Sequence, residues 1–594
     1  MQTDPIGEPM AALPTQKFER FLPHWMRTFV RARESGLAVA GLVIGLMSGV
    51  LVGLIANGAQ WAHEVLFHLV PEERLSAQAF INPLLALAVP FAGGLLLSLL
   101  VWRVGARFKD EMADAIEANA LHGGRLRIGG SIYITVQTFI SNACGASVGL
   151  EAAYTQVCAA LSSFLGSGLA ARRSDMRLLV ACGAAGAISA AFGAPLAGAF
   201  YAFEVVLGAY AVASLVPVTA SAIVASYVSG LVTHRHGPLP IITEFHAATG
   251  AFLGHVIILG ALCALGAILL MRGVALAERM FGHKRFPAFL RPAVGGLIVG
   301  GFGLVTPQVL GAGHGAFQLN LTQAVPLGMV AGVLVLKGLA SAISLGSGFR
   351  GGLFFASLLM GGLLGRLYAE TATLYTPFEF PAGLAAIAGM AAFGTGVLGA
   401  PISMTVLALE TTGDFSVTAA ALAASLICAL IVRETFGYSF ATWRFHLRGE
   451  TIRGPHDVGW VRQLIVARLM SKDLRTVPSD VSVSVAREMF PAGSTRQIMA
   501  VNAQGRYEGL ILSDNLQGAA PERPVSELAH QREVFLLPEM DIRETLDAFE
   551  KAETDVLAVI DGPQSRLLLG LVTESHALRR YGEELERRNR EFLR

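Results

Sequence analysis

Gly145-Ala146-Ser147-Val148-Gly149-Leu150-Glu151 and, about 200 residues further on, Gly346-Ser347-Gly348-Phe349-Arg350-Gly351-Gly352-Leu353-Phe354 are the stretches that decide how this chain is read. Each is a Gly-rich helix start that leads into apolar sequence. Each is followed by a Gly-Ala-Pro step: Gly193-Ala194-Pro195 precedes an apolar run to Glu204, and Gly399-Ala400-Pro401 precedes an apolar run to Glu410 at the same interval. The order and spacing point to two homologous halves, the plan of many transporters. Interrupted segments at matching positions then mark a binding site near the bilayer midplane. Many of the 66 glycines have a plainer role, close packing of helices in lipid.

A helix start leaves four N–H groups without intrahelical partners, and the macrodipole adds about half a positive charge. Several converging starts therefore hold an anion without a cationic side chain. A cation site would need clustered carboxylates and carbonyls, whereas these starts offer one acid, Glu151. The expected solute is an anion.

The surroundings fit a membrane protein. Of 594 residues 53% are hydrophobic and 15% charged, and the mean hydropathy is +0.55. Apolar segments at 37–56, 81–102, 178–232, 251–271, 294–304, 325–345, 351–364 and 381–409 follow one another, some near the roughly 20 residues a bilayer needs and others broken by Gly and Pro. Residues 1–34 read as a cytoplasmic tail, with Arg27, Arg31 and Arg33 just before the first span. Forty-five Lys and Arg against 44 Asp and Glu leave no polyanion-binding field, so nucleic acid is not an expected partner. Cys144, Cys158, Cys182, Cys263 and Cys428 stand singly in apolar sequence and read as small buried hydrophobes, with neither a disulfide framework nor a zinc site.

After residue 447 the sequence turns charged and amphipathic, as in a separate cytoplasmic module. Gln497 to Val501 and Tyr507 to Leu512 read as strand, turn, strand; Val556 to Ile560 and Leu567 to Val572 repeat the pattern, each pair behind a helical stretch.

These residues resemble the CLC family of chloride channels and chloride/proton exchangers, and the tail is similar to a CBS-domain pair. The likeness runs from about Leu37 to Tyr581. Gly149-Leu150-Glu151-Ala152-Ala153 resembles the Gly-Lys/Arg-Glu-Gly-Pro motif, which implies Glu151 as the gating glutamate and Gly149 and Leu150 beside the anion. Gly352-Leu353-Phe354-Phe355-Ala356 is similar to Gly-x-Phe-x-Pro, implying an anion held by Gly352, Leu353 and Phe354, and Tyr438 matches the tyrosine whose hydroxyl donates to the same ion. Ionised, the Glu151 carboxylate takes the place an entering chloride would occupy; protonated or displaced, it leaves that place open.

Departures from the family pattern carry their own expectations. Asp110-Glu111-Met112-Ala113-Asp114 stands where Gly-Ser-Gly-Ile-Pro belongs, so no serine hydroxyl is available, and Asp110, Glu111 and Asp114 are expected at a vestibule. Ala153 and Ala356 replace both motif prolines. Exchangers of the bacterial branch commonly carry a second acid after the first, yet here Glu204 is followed by Val205, which resembles the channel members and leaves no proton relay. Glu204 and Glu410 read as structural acids. In the tail, adenosine derivatives are the ligands the resemblance implies, but Asn515 and His576 replace the ribose-binding aspartates.

Three further signals are set aside. Gly346-x-Gly348-x-x-Gly351 lacks the strand and βαβ unit of a dinucleotide site. His63 and His68 are one residue too far apart for a zinc pair. Lys337, alone in an apolar run, is expected to snorkel or to pair inside the bundle, with a direct chloride role as the alternative.

The sequence thus predicts an all-α polytopic membrane protein, an inverted repeat of broken helices, with a cytoplasmic α/β CBS pair. The expected domains are a tail at 1–34, a transport domain at 35–447 (halves about 35–235 and 249–447), a linker at 448–466, and CBS repeats at 467–520 and 521–594. The expected function is transport and not enzymic chemistry: a passive chloride channel, homodimeric as the resemblance implies, in lipid of a bacterial inner membrane. A chloride/proton antiporter is the alternative within the family. From another class comes a divalent-cation transporter lined by Asp110, Glu111, Asp114 and Glu151.

Overall fold

In the computed structural model the chain divides into two compact units, Met1–His456 and Asp457–Arg594. The structure describes residues 27, 28, 30, 34–233 (except 112 and 122), 250–443 (except 284–286, 324, 376–379, 438 and 441) and 464–583 (except 492, 494, 496, 553 and 582).

The first unit is helical. Its first half holds α1 (Glu34–Phe67), α2 (Pro83–Val104), α3 (Ala115–Leu121), α4 (Ile128–Ala143), α5 (Glu151–Gly168), α6 (Arg173–Phe192), α7 (Pro195–Tyr201) and α8 (Val212–Thr233). The second holds α9 (Gly250–Gly282), α10 (Arg291–Val305), α11 (His314–Thr322), α12 (Leu327–Ser347), α13 (Phe354–Tyr375), α14 (Ala382–Leu398), α15 (Pro401–Thr412) and α16 (Phe415–Thr435). Among the described residues eight helices are long and apolar enough to cross a bilayer. Their packing is tight: a β-carbon on Gly41 or Gly45 of α1 would come within 2.4 Å of the Pro217 or Ser221 carbonyl of α8.

The Gly-Ala-Pro steps are stop–start punctuation. Gly193 and Gly399 end α6 and α14 in the left-handed region, at φ 66° and 76°, and Pro195 and Pro401 open the next helices, where a missing N–H costs nothing. The 178–232 run therefore becomes α6, α7 and α8 rather than one continuous apolar stretch. Past α7 the chain widens into a π turn, Ala202–Leu207, and the Val206 carbonyl there accepts from the Asn119 amide at 3.1 Å. Lys337 does not snorkel: it is wholly buried in α12.

The second unit is α/β. β1 (Thr476–Pro478) runs parallel to β2 (Gln497–Val501), which pairs antiparallel with β3 (Tyr507–Leu512). Between β1 and β2 lies α17 (Val483–Met489), and α18 (Ser513–Gly518) follows β3. α19 (Ile542–Ala552) precedes a second hairpin of β4 (Val556–Ile560) and β5 (Leu568–Thr573). Both hairpins have a register shift at the same place, Ala500/Val501 and Val559/Ile560, as expected of repeated copies. Ile498 and Ala500 face one core while Met499 joins Val556, Ala558 and Ile560 in another, so these strands are apolar on both sides and show no alternation.

Candidate functional site at the paired helix starts

Two loops, 144–150 ahead of α5 and 348–353 ahead of α13, meet through Gly149 and Gly352. Gly145 and Gly348 sit at φ 84° and 111°, values that an L side chain rarely tolerates, and so turn each chain sharply out of the preceding helix. The loops then fasten to each other. Gly149 N donates to Gly352 O at 2.9 Å and Gly352 N donates to Gly149 O at 3.1 Å. Ser147 N donates to Ser344 Oγ at 3.0 Å, and Arg350 N donates to Ser141 Oγ at 3.1 Å. Each half thus supplies a serine that receives the loop of the other.

This pairing changes the expected donor set. The N–H groups of Gly149 and Gly352 are spent on each other and are not turned to an ion. The first intrahelical donors are Tyr154 N to Leu150 O and Ser357 N to Leu353 O, so the first-turn amides at 151–153 and 354–356 are the ones a helix leaves for an outside acceptor.

Glu151 begins α5 and is 4% exposed. Its carboxylate lies near the first-turn backbone of both helix starts, beside Glu151 N and Phe355 N. Oε2 is buried with no hydrogen-bond partner. A β-carbon on Gly149 would come within 1.8 Å of that oxygen, so the carboxylate rests directly on the glycine. One oxygen of the Glu151 carboxyl is thus buried at a helix start without a hydrogen-bond partner.

Glu151, Gly352, Leu353 and Phe354 line one cavity of about 770 Å3, which also reaches Asp114, Glu117, Tyr201, Val205 and Arg350. Gly149 and Leu150 are not on its wall. Asp110 and Glu111 fall in the tight turn Gly105–Glu111. Asp114 caps α3, its Oδ1 accepting Glu117 N at 2.8 Å. Tyr438 lies outside the described residues. Sequence reasoning missed Tyr201, which is buried, packs its ring 6.1 Å from that of Phe354, and lies within Coulombic reach of Glu151 and Asp114. It stands in an apolar run with nothing to set it apart. Phe192 packs on Phe354 and Phe355, and His314 stacks on Phe355 with ring centroids 3.6 Å apart.

Glu204 and Glu410 are satisfied across the two halves. Glu410 accepts Leu196 N and Ala197 N at the start of α7, both at 2.8 Å. Glu204 accepts Ile402 N at 3.1 Å, Ser403 N at 2.9 Å and Ser403 Oγ at 2.6 Å at the start of α15. Each acid stands in the field of the other half's helix start. In the second unit, Asn515 pairs with His530 at 3.1 Å and His576 pairs with Arg579 at 3.1 Å, so neither position offers a carboxylate to a ribose.

Two helical halves that join at helix starts, with one buried acid at the junction, mark the plan of an anion-transport membrane protein. The voltage gated chloride channel family matches residues 93–433. A putative chloride channel protein ClcB-like from Ralstonia nicotianae is 32% identical over 391 residues, covering 64% of this chain and 90% of the relative. The voltage-gated ClC-type chloride channel ClcB of Escherichia coli is 30% identical over 404 residues, covering 66% and 95%. Among solved structures, a slow cyanobacterial Cl−/H+ antiporter superposes with a TM-score of 0.61 at 22% identity, over 69% of this chain and 97% of that one. A eukaryotic CLC transporter superposes at 0.56 with 19% identity, over 91% and 98%. The chain belongs to the CLC family of chloride channels and transporters. It is an integral membrane protein of anion transport, and the divalent-cation alternative is set aside by that membership.

Proposed function

We propose that the chain is a passive chloride channel gated by Glu151. The observation that carries this reading is the buried carboxylate at the joined helix starts, one oxygen resting on Gly149 without a partner. Ionised, it occupies the first-turn amides of α5 and α13. Protonated, it loses their attraction and yields the position to an anion of similar size and charge. Gly149 and Gly352 hold the two starts together, Leu353 and Phe354 wall the ion, and Tyr438 is proposed as a further donor. Asp110, Glu111 and Asp114 are proposed to stand at the aqueous mouth, where water screens them.

Passive conduction is favoured because Val205, which cannot carry a proton, lines the same cavity as Glu151. Antiport is the second reading, supported by Asp114 and Glu117 on that cavity wall. We propose further that the protein works as a homodimer with one pathway per subunit, in a bacterial inner membrane, with residues 1–34 and the C-terminal unit cytoplasmic.

Purified protein in vesicles under a chloride gradient tests both parts. Chloride efflux that increases as pH falls, with no accompanying proton movement, is the expected result; uphill proton transport driven by chloride would replace the channel with the exchanger. Glu151→Gln is expected to conduct at every pH. A variant that kept the wild-type pH dependence would remove Glu151 from the gate.

A further inference from the structure

We propose that Lys337 is the buried counter-charge of the anion pathway: one fixed ammonium balances the Glu151 carboxylate while the gate is shut and the permeating anion once that carboxylate has left. The proposal rests on the gate reading of Glu151 given above.

Lysine is almost never wholly buried unless it is paired. Lys337 is 0% exposed in the middle of α12. Its Nζ donates to Val309 O at 3.1 Å and to Gly311 O at 2.7 Å. Carbonyl dipoles satisfy two of its protons, and a positive charge held in low dielectric is stabilised further by an anion nearby.

The surroundings show where that anion lies. Gly311 N donates to Gly145 O at 3.1 Å, so the turn that holds the ammonium is bonded to the first residue of the loop that presents Glu151. One turn beyond Lys337 on the same face of α12, Ser341 Oγ lies 3.0 Å from Ser147 Oγ, and Ser344 accepts Ser147 N. Lys337, Ser341 and Ser344 therefore form a single strip laid against residues 145–147. The ammonium and the Glu151 carboxylate lie within Coulombic reach of each other.

Helix starts contribute partial charges only, and the cavity wall mixes both signs, Asp114, Glu117 and Glu278 with Arg291 and Arg350. A positive charge at Lys337 adds to the attraction that the helix starts supply. The other charged or titratable groups on the cavity that Glu151 faces are Asp114, Glu117, Tyr201, Glu278, Arg291 and Arg350. Near the Lys337 turn stands His63, with Cε1 3.9 Å from the position of a Gly311 β-carbon, and His314 opens the neighbouring α11. All are retained in the variants below.

The test uses the full chain in vesicles and in detergent. Lys337→Met and Lys337→Gln are expected to weaken chloride binding, read by calorimetry, by about tenfold or more, and to raise the midpoint of the pH-dependent efflux by about one unit, since a carboxylate without its counter-charge protonates more readily. Lys337→Arg, which keeps the charge, should stay closer to wild type than either neutral variant. In a Glu151→Gln background the neutral variants should still bind chloride weakly, but the pH midpoint has no carboxylate left to shift. Removing one partner of a buried pair harms stability more than removing both, so Glu151→Gln combined with Lys337→Met is expected to melt higher than Lys337→Met alone, even where the single variant folds poorly. Neutral variants with wild-type chloride affinity and pH midpoint would overturn the proposal, and so would strictly additive melting shifts. A Glu151→Gln protein with an unchanged pH profile would instead sink the gate reading.

Discussion

Between the two halves of the membrane unit, the loop before the central helix repeats bond for bond while its charges do not. Gly145 and Gly348 make the same turn, Gly149 and Gly352 exchange the same pair of hydrogen bonds, and Ser344 and Ser141 receive the loop opposite. Yet Glu151 opens α5 where Phe354 opens α13, and the same register sets Lys337 of α12 against Ile134 of α4. The duplicated bonds build a rigid junction of helix starts. The unmatched side chains give that junction a gate on one side and a wall on the other, so the functional chemistry resides in the asymmetry.

The largest test of this contrast is the glycine pair. A β-carbon on Gly149 would fall 1.8 Å from Glu151 Oε2, whereas on Gly352 its nearest neighbour is 3.6 Å away. Gly149→Ala is therefore expected to expel the carboxylate and change efflux at neutral pH by about tenfold or more, with pH dependence lost, while Gly352→Ala stays near wild type. Equal effects would mean that the two loops serve the same purpose.

Next come the reciprocal caps. Glu204→Gln and Glu410→Gln each weaken two charge-assisted bonds to the other half's helix start, at a cost of about 1–3 kcal/mol in thermal unfolding. Glu204→Gln should cost more, because Ser403 Oγ also donates to Glu204. A change in proton coupling with either would assign that acid to transport instead. The smallest effect is expected from the loop serines. Ser344→Ala leaves the buried Ser147 N–H without its acceptor, for about 1–2 kcal/mol, and Ser141→Ala leaves the part-buried Arg350 N–H without its own, for somewhat less; a larger loss from Ser141→Ala would break this reading of the junction.

Much of this was legible in the sequence because it is local. Gly-rich starts, the Gly-Ala-Pro steps, Glu151 at a helix start and the strands Gln497–Val501, Tyr507–Leu512 and Val556–Ile560 follow from residue type and spacing alone. What stayed hidden depends on contacts between residues about 200 apart along the chain. Nothing near Glu204 announces that its partners are Ile402 and Ser403, and nothing near Gly149 shows that its N–H is committed to Gly352, which moves the available donors into the first turns of the helices. Lys337 was obscured for a related reason: its partners belong to a distant segment, so it read as a lone charge in apolar sequence, and Tyr201 drew no reading at all.

The competition between carboxylate and anion for one set of amides can be tested directly by bromide anomalous diffraction from wild-type and Glu151→Ala crystals. In the variant, a bromide peak is expected within hydrogen-bonding distance of the first-turn amides of α5 and α13, in the space the carboxylate occupies in the wild type. A variant with that space empty of halide, or a wild-type crystal with bromide there beside an unmoved Glu151 carboxylate, would contradict the account.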